Sequence, residues 1–155
     1  MNNDVDTKTP QQLETEGGDL YRQGDYVEAA NIFAAAEEGF EAMGDVLKSA
    51  ELANNRSVAL LQSNQGQAAF DVVKNTIDVF RQVGDERRLA MALGNRAAAL
   101  EALKEFEQAI SDYEESATIL KKLGENDLRL DVMKALSGLQ LRTGRSMEAL
   151  VTMQT

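Results

Sequence analysis

One dipeptide occurs twice at a spacing that suggests a shared role: Asn55-Arg56, followed by Ser57, and Asn95-Arg96, followed by Ala97, 40 residues later. An asparagine side chain carries two N–H donors and a carbonyl acceptor, so two of them on one face can grip the main chain of an extended peptide. The same pairs also read without a ligand. Each Asn would then fix a neighbouring helix end, and each Arg would lay its stem over an apolar seam. Glu37 and Glu41 have helical spacing that suits a divalent cation, but no Asp/Asn/Gly loop of the calcium-binding type accompanies them. Gly17-Gly18 follows no strand and precedes no Gly-Lys-Ser/Thr, so small residues there are expected to let helices approach closely rather than to cradle phosphate.

Composition excludes much of the remaining chemistry. The 155 residues contain no His, Cys or Trp. Ser-His-Asp and Cys-His nucleophile systems, thiolate–imidazole zinc sites and disulfide frameworks are therefore absent. Asp, Glu, Lys, Ser and Tyr show no nucleophile-and-base spacing, so the expectation is a protein without catalysis, metal or cofactor. The formal net charge of −10 argues against nucleic-acid binding, which draws on Lys and Arg neutralising phosphates. That charge is uneven, with 11 acidic against 3 basic residues over 1–49, 5 against 5 over 50–89, 8 against 5 over 90–129 and 2 against 3 over 130–155. It can steer a basic partner or serve as a solvated face for an alanine-rich helix. Residues 1–9 lack an apolar signal core, and no run approaches 18 apolar residues. A soluble, cytoplasmic chain that does not engage a membrane is expected.

The elements that position the two asparagines follow from punctuation. Gly44-Asp45, Gly84-Asp85 and Gly124-Glu125 recur every 40 residues, in phase with Leu20/Leu60/Leu100, Ala29/Ala69/Ala109/Ala149, Phe33/Val73/Tyr113/Met153 and Phe40/Phe80/Leu120. A second break falls midway, at Gly24-Asp25, Asn64-Gln65-Gly66, Lys104-Glu105 and Gly144-Arg145. Between breaks the apolar residues step by three and four, the period of an amphipathic helix. Twenty-one alanines favour helix, and the lone Pro10 suits a first helical position. Each Gly can end a helix in the left-handed conformation, and the acidic residue after it can cap the next. The spacing predicts helices over about 10–23, 26–43, 46–64, 67–83, 86–103, 106–123 and 127–143, then a stub over 146–155. Short connections make neighbours antiparallel, and hairpins that cannot bury their apolar faces alone must stack. The expected architecture is an all-α, right-handed α-solenoid of about three and a half repeats. It comprises a flexible segment 1–9 and a single domain 10–155, with repeats near 10–49, 50–89, 90–129 and an incomplete 130–155.

Residues 17–36, with Gly17, Leu20, Gly24-Asp25-Tyr26, Glu28-Ala29, Phe33 and Ala36, resemble the tetratricopeptide (TPR) repeat. Unit three contributes Asn95, Ala97, Leu100, Phe106, Ala109, Tyr113 and Ser116, and unit four Ser137, Gly144, Glu148 and Ala149. The 40-residue period is similar to that of the long-helix TPR subclass. The resemblance implies that first helices line a concave groove. It places there Gln11, Glu14, Gly18, Tyr21 and Arg22 from unit one, and Glu51, Asn54, Asn55, Val58, Leu61 and Gln62 from unit two. Unit three gives Met91, Gly94, Asn95, Ala98, Glu101 and Ala102, and unit four Asp131, Lys134, Gly138, Leu141 and Arg142. The Asn-Arg runs are similar to those of TPR domains that clamp a C-terminal carboxylate. The clamp's remaining parts are missing: its Lys and Asn of the preceding repeat fall on Glu14 and Gly18 (or on Asn54 and Val58 one repeat later), and its Lys and Arg of the next repeat on Asp131 and Ala135.

Unit four stops early. Met153 should point inward by its column, and Leu130, Met133, Leu136, Leu139, Leu150 and Val151 should lack a covering neighbour. Leu136, Leu139, Met147, Leu150 and Val151 are therefore candidates for pairing with a second copy, unless the chain continues in a longer protein. The leading reading of function is a non-enzymatic interaction module, an adaptor or scaffold presenting a groove to a partner's peptide or helix. The alternatives are a regulatory subunit switched by a peptide and a self-assembling structural solenoid.

Overall fold

The computed structural model describes residues 7–155, so most of the segment expected to be flexible, residues 1–6, lies outside the described residues. Eight helices and no strand are found among them: α1 (Pro10–Arg22), α2 (Tyr26–Ala42), α3 (Val46–Gln62), α4 (Gly66–Val83), α5 (Glu86–Ala102), α6 (Phe106–Leu123), α7 (Asn126–Arg142) and α8 (Ser146–Gln154). They agree with the spacing-based helices to within one or two residues at each end.

The turns share one geometry. A left-handed residue stands at every twentieth position: Gly24, Gly44, Asn64, Gly84, Lys104, Gly124 and Gly144. The N–H after each one donates to the carbonyl five residues back, as from Asp25 to Leu20 and from Asp45 to Phe40, both at 2.9 Å. Asparagine tolerates this conformation through its short polar side chain, but Lys104 (φ 62°) carries a Cβ penalty there. Helix starts are less uniform than expected. Asp45 and Asp85 cap α3 and α5 by accepting from Lys48 N and Arg88 N, at 3.0 Å each. Asp25 and Glu125, also expected to cap, accept no such bond. Thr9 closes a reciprocal capping box with Gln12 ahead of Pro10.

Each helix packs on the one before and the one after it, giving a stack of antiparallel pairs. The alanine column (Ala29, Ala69, Ala109, Ala149) is fully buried, as are Phe33, Phe40, Val73, Phe80, Tyr113 and Leu120 from the other columns. Gly17 lies so close to α2 that a Cβ would sit 2.7 Å from the Phe33 ring, the close approach expected there. Gly18 behaves differently. A Cβ on it would meet only the Arg22 guanidinium at 3.5 Å, so it opens onto space.

The C-terminal expectations need correcting. Met153, expected to point inward, is 68% exposed, since α8 packs on α7 alone among the described helices. Leu136 and Leu139, expected to lie uncovered, are buried at 3% and 0% in a cluster with Leu100, Ala109 and Tyr113. The helix pair α5/α6 of the preceding repeat covers them. Leu130, Met147, Leu150 and Val151 are exposed.

Candidate functional site

The odd-numbered helices form one side of the stack. Of these, α3 and α5 pack directly on each other, whereas no two even-numbered helices make a comparable contact, so the odd-numbered side is the inner side of the curve. Neither α1 with α3 nor α5 with α7 closes in this way, and a cleft opens at each of these gaps. Cleft one, about 240 Å³, is bordered by Gly18, Tyr21 and Arg22 of α1 and by Asn55 and Val58 of α3, with Phe33 of α2 as its floor. Cleft two, about 310 Å³, is bordered by Met91, Gly94, Asn95 and Ala98 of α5 and by Asp131 and Val132 of α7, over Tyr113 and Leu120 of α6. A wider hollow of about 580 Å³ borders only α1 and its flanking residues, on a polar surface with Lys8, Gln12 and Glu16.

The two asparagines thus stand one on the rim of each cleft but on opposite walls, Asn55 on α3 facing back to α1 and Asn95 on α5 facing forward to α7. Neither makes a hydrogen bond to another described residue, so their amides are available to a ligand. Val58 accompanies Asn55, and Met91 and Ala98 accompany Asn95. The remaining expected groove residues separate from them. Asn54 is buried: its Oδ1 accepts from the Thr76 hydroxyl at 2.8 Å, because a one-residue step turns it by ~100° onto α4. Leu61 is half-buried against the cluster of Ala29, Phe33 and Leu60. Arg142 is ion-paired with Glu101, whose other oxygen accepts from Tyr113 Oη at 3.0 Å. Lys134 is exposed on α7 and borders neither cleft.

The arginines of the twin dipeptides do not lie over an apolar seam. Arg96 donates twice to Asp112 of α6, at 2.7 and 2.9 Å, and Asp112 is buried. These hydrogen bonds hold the guanidinium above its ordinary pKa. Arg56 turns the other way, to Glu37 of α2: Nη2 donates to Oε1 at 3.1 Å. Arg56 Nε and Glu37 Oε2 also lie 2.6 Å apart, though too poorly aligned for a second hydrogen bond. Glu37 therefore belongs to the interior rather than to a solvated acidic stretch. Burial pushes its pKa up despite the neighbouring guanidinium.

Along one edge of the inner face, charged side chains pair from helix to helix. Lys48 Nζ lies 2.7 Å from Glu14 and 3.6 Å from Glu51, and Arg88 lies 3.0 Å from Glu51 and 2.7 Å from Asp85. This chain of pairs joins α1, α3 and α5. Sequence reasoning missed it, although the opposite charges at separations of 34 and 37 residues, close to one repeat, were a readable signal. Glu14, in a column where the resemblance implies a clamp cation, is an anion paired with Lys48. Burial of Tyr113 beneath cleft two pushes its hydroxyl up to about 12. Among the described residues no group of three or more Asp or Glu could hold a metal ion, and no helix is long and apolar enough to cross a membrane.

No protein-family model matches the chain, and no curated protein matches its sequence. Solved structures do. The apo form of RapI superposes with a TM-score of 0.83 at 14% identity over 94% of the chain, which spans 41% of RapI's length. A putative kinesin light chain of Podosopora anserina with nearly identical TPR-like repeats gives 0.79 at 15% identity, covering 96% of this chain and 74% of that one. The first TPR domain of human RPAP3 gives 0.59 at 20% identity, covering 85% and 95%. These likenesses show the fold: the chain is a TPR-like helical solenoid.

Proposed function

We propose that the chain is a non-catalytic protein-interaction module, an adaptor or scaffold, whose inner face takes up a segment of a partner protein. The observation that carries this reading is the repeated placement of an asparagine without a hydrogen-bond partner on the rim of an apolar cleft. Groups of this kind serve recognition better than packing, since amides facing solvent add little to stability. The TPR-like fold supports the reading by analogy, because stacked helix pairs build extended inner surfaces. On this reading one domain, residues 10–155, acts as the binding unit in a cytoplasmic setting.

The test is selection of displayed random peptides on the whole chain, followed by titration of the selected peptides against Asn55→Ala/Asn95→Ala. Loss of two amide contacts at about 0.5–1.5 kcal/mol each predicts affinity weaker by about fivefold or more. Equal binding to the double variant would sink the proposal.

A second reading, association of two copies, rests on the exposed Met147, Leu150 and Val151 of α8 with Leu130 of α7. Scattered apolar side chains are ordinary on a protein surface, but Met147, Leu150 and Val151, at i, i+3 and i+4, share one face of α8, and a group of this kind favours association. Sedimentation at micromolar concentration, with Leu150→Glu as control, decides it. A monomer at all concentrations removes this reading and leaves the first.

A further inference from the structure

Building on the peptide-binding reading, we infer that the inner face is a two-anchor site, recognising an extended segment through two apolar side chains held about six residues apart, the one in cleft two beside a basic residue. The argument starts from the uneven closure of the odd-numbered helices. Contact between α3 and α5 closes the middle of this side, and the clefts found on it among the described residues open between α1 and α3 and between α5 and α7. At about 240 and 310 Å³ the clefts stand below and at the lower bound of the ~300–1,000 Å³ of sites for drug-sized ligands, and each is matched here to one apolar side chain. The clefts are two first-helix spacings apart, roughly 20 Å when packed helices stand ~8–10 Å from one another. An extended chain rises about 3.3 Å per residue, which gives about six residues between anchors.

The asparagines favour an extended occupant over a helical one. Asn55 and Asn95 each present donors and an acceptor beside an anchor, and an extended segment has free main-chain groups to meet them, whereas a helix has satisfied its own. Charge sets the direction. Asp131 on the rim of cleft two has no ion-pair partner among the described residues, while Arg22 on the rim of cleft one is paired with Asp19. Along the edge of the face Glu14, Lys48, Glu51, Arg88 and Asp85 pair with one another and leave one net negative charge, which does not oppose a cation on the occupant. A Lys or Arg beside the second anchor therefore meets an unneutralised carboxylate.

The face itself supplies the test. Gly18 and Gly94 each line one cleft, and a Cβ on either meets nothing nearer than 3.5 and 3.9 Å. Gly18→Met and Gly94→Met fill one cleft apiece while replacing a weak helix former, so thermal melting should hold or rise. The probes are fluorescein-labelled peptides with two leucines three to ten residues apart in a Ser/Thr background, with Lys or Ser beside the second leucine. Binding is followed by anisotropy and by the side-chain amide NMR signals of Asn55 and Asn95. Affinity should peak near a separation of six and exceed that of single-leucine peptides by about tenfold, as two linked anchors act. Either Met variant should abolish the dependence on separation, and Asp131→Asn should erase the preference for Lys over Ser. Affinity independent of separation, with both amide signals shifting, overturns the two-anchor site and leaves the peptide-binding reading standing. So does helix formation by the bound peptide, read by circular dichroism. Binding that shifts neither amide overturns both. If no peptide of the series binds, the two-anchor site falls, and the display-selected peptides decide the broader reading.

Discussion

Replacing Arg96 with alanine should destabilise the protein by about 2–3 kcal/mol, through the carboxylate left behind rather than through the lost guanidinium. Asp112 keeps only 9% of its side-chain surface exposed and accepts two hydrogen bonds from Arg96, whose own side chain is 25% exposed. Removing one partner of a fully buried pair costs about 3–5 kcal/mol, and the partial access of water to Arg96 brings the figure down. In a chain of this size that corresponds to a fall in Tm of roughly 4–12 °C. Urea unfolding followed by circular dichroism measures it. The decisive arm is the double variant. If the orphaned carboxylate is the penalty, Asp112→Ala added to Arg96→Ala should recover about 1–2 kcal/mol, a coupling that a double-mutant cycle reads directly. Arg56→Ala should cost about half as much, because Arg56 makes one aligned hydrogen bond to Glu37 and burial already favours protonation of that carboxyl. An Arg96→Ala penalty below about 0.5 kcal/mol, or no recovery in the double variant, would falsify the account and return Arg96 to the role of a stem covering apolar surface.

Other consequences are open to similar checks. Lys104→Gly removes a left-handed Lys and should stabilise by about 0.5–1 kcal/mol, the ~1–2 kcal/mol of relief being offset by the freer unfolded glycine. The same change at Asn64 should gain less, and equal melting of the two variants would count against the backbone argument. Gly17→Ala forces a methyl against the Phe33 ring and should cost about 1–2 kcal/mol, with Phe33→Leu restoring part of it, both read from chemical denaturation. Although burial works against its charge, hydrogen bonds and the positive charge of Arg88 hold the Asp85 carboxyl below its ordinary 3.8. A depressed carboxylate pKa contributes stability that is present above the unfolded value and is lost as pH falls through the folded one. Wild type should therefore lose more stability than Asp85→Asn between pH 5 and pH 2, and parallel acid curves would remove Asp85 from the ladder's role.

The fold was legible because its signal repeats. One left-handed residue every twenty positions, with apolar steps of three and four between, fixes helix number, length and antiparallel order. Even the absent glycines at 64 and 104 were marked by an Asn and by a charged Lys-Glu turn. The site was legible only in part. Asn55 and Asn95 declared themselves by sharing a column, but Asn54 and Asn55 differ by a single helical step, and periodicity over a polar stretch does not say which of the two faces inward. Nor could the sequence show that α3 closes on α5 while the flanking pairs stand apart, since that depends on the spacing between repeats. The partners of Arg56 and Arg96 were hidden for a related reason. The column of Glu37 holds Ile77 and Ala117, and that of Asp112 holds Ile32 and Val72, so neither carboxylate repeats as its arginine does. A repeat exposes what its units share and conceals what a single unit adds.

The acidity of the first repeat looks different once its carboxylates are placed. Glu14 and Glu37 are tied to Lys48 and Arg56, Glu16 and Asp19 to Lys8 and Arg22, and Asp45 caps α3. What still faces water there among the described residues is chiefly Asp25, Glu28, Glu38 and Glu41, all on α2 or its cap, on the side of the stack away from the clefts. Exposed charges farther than the ~10 Å screening length from a bound segment add little to its binding at ordinary salt. Overall charge and local charge therefore separate in this molecule. On the proposed two-anchor reading, the −10 acts on approach while discrimination between segments falls to Asp131 and the two asparagines, which make no side-chain hydrogen bond or ion pair among the described residues.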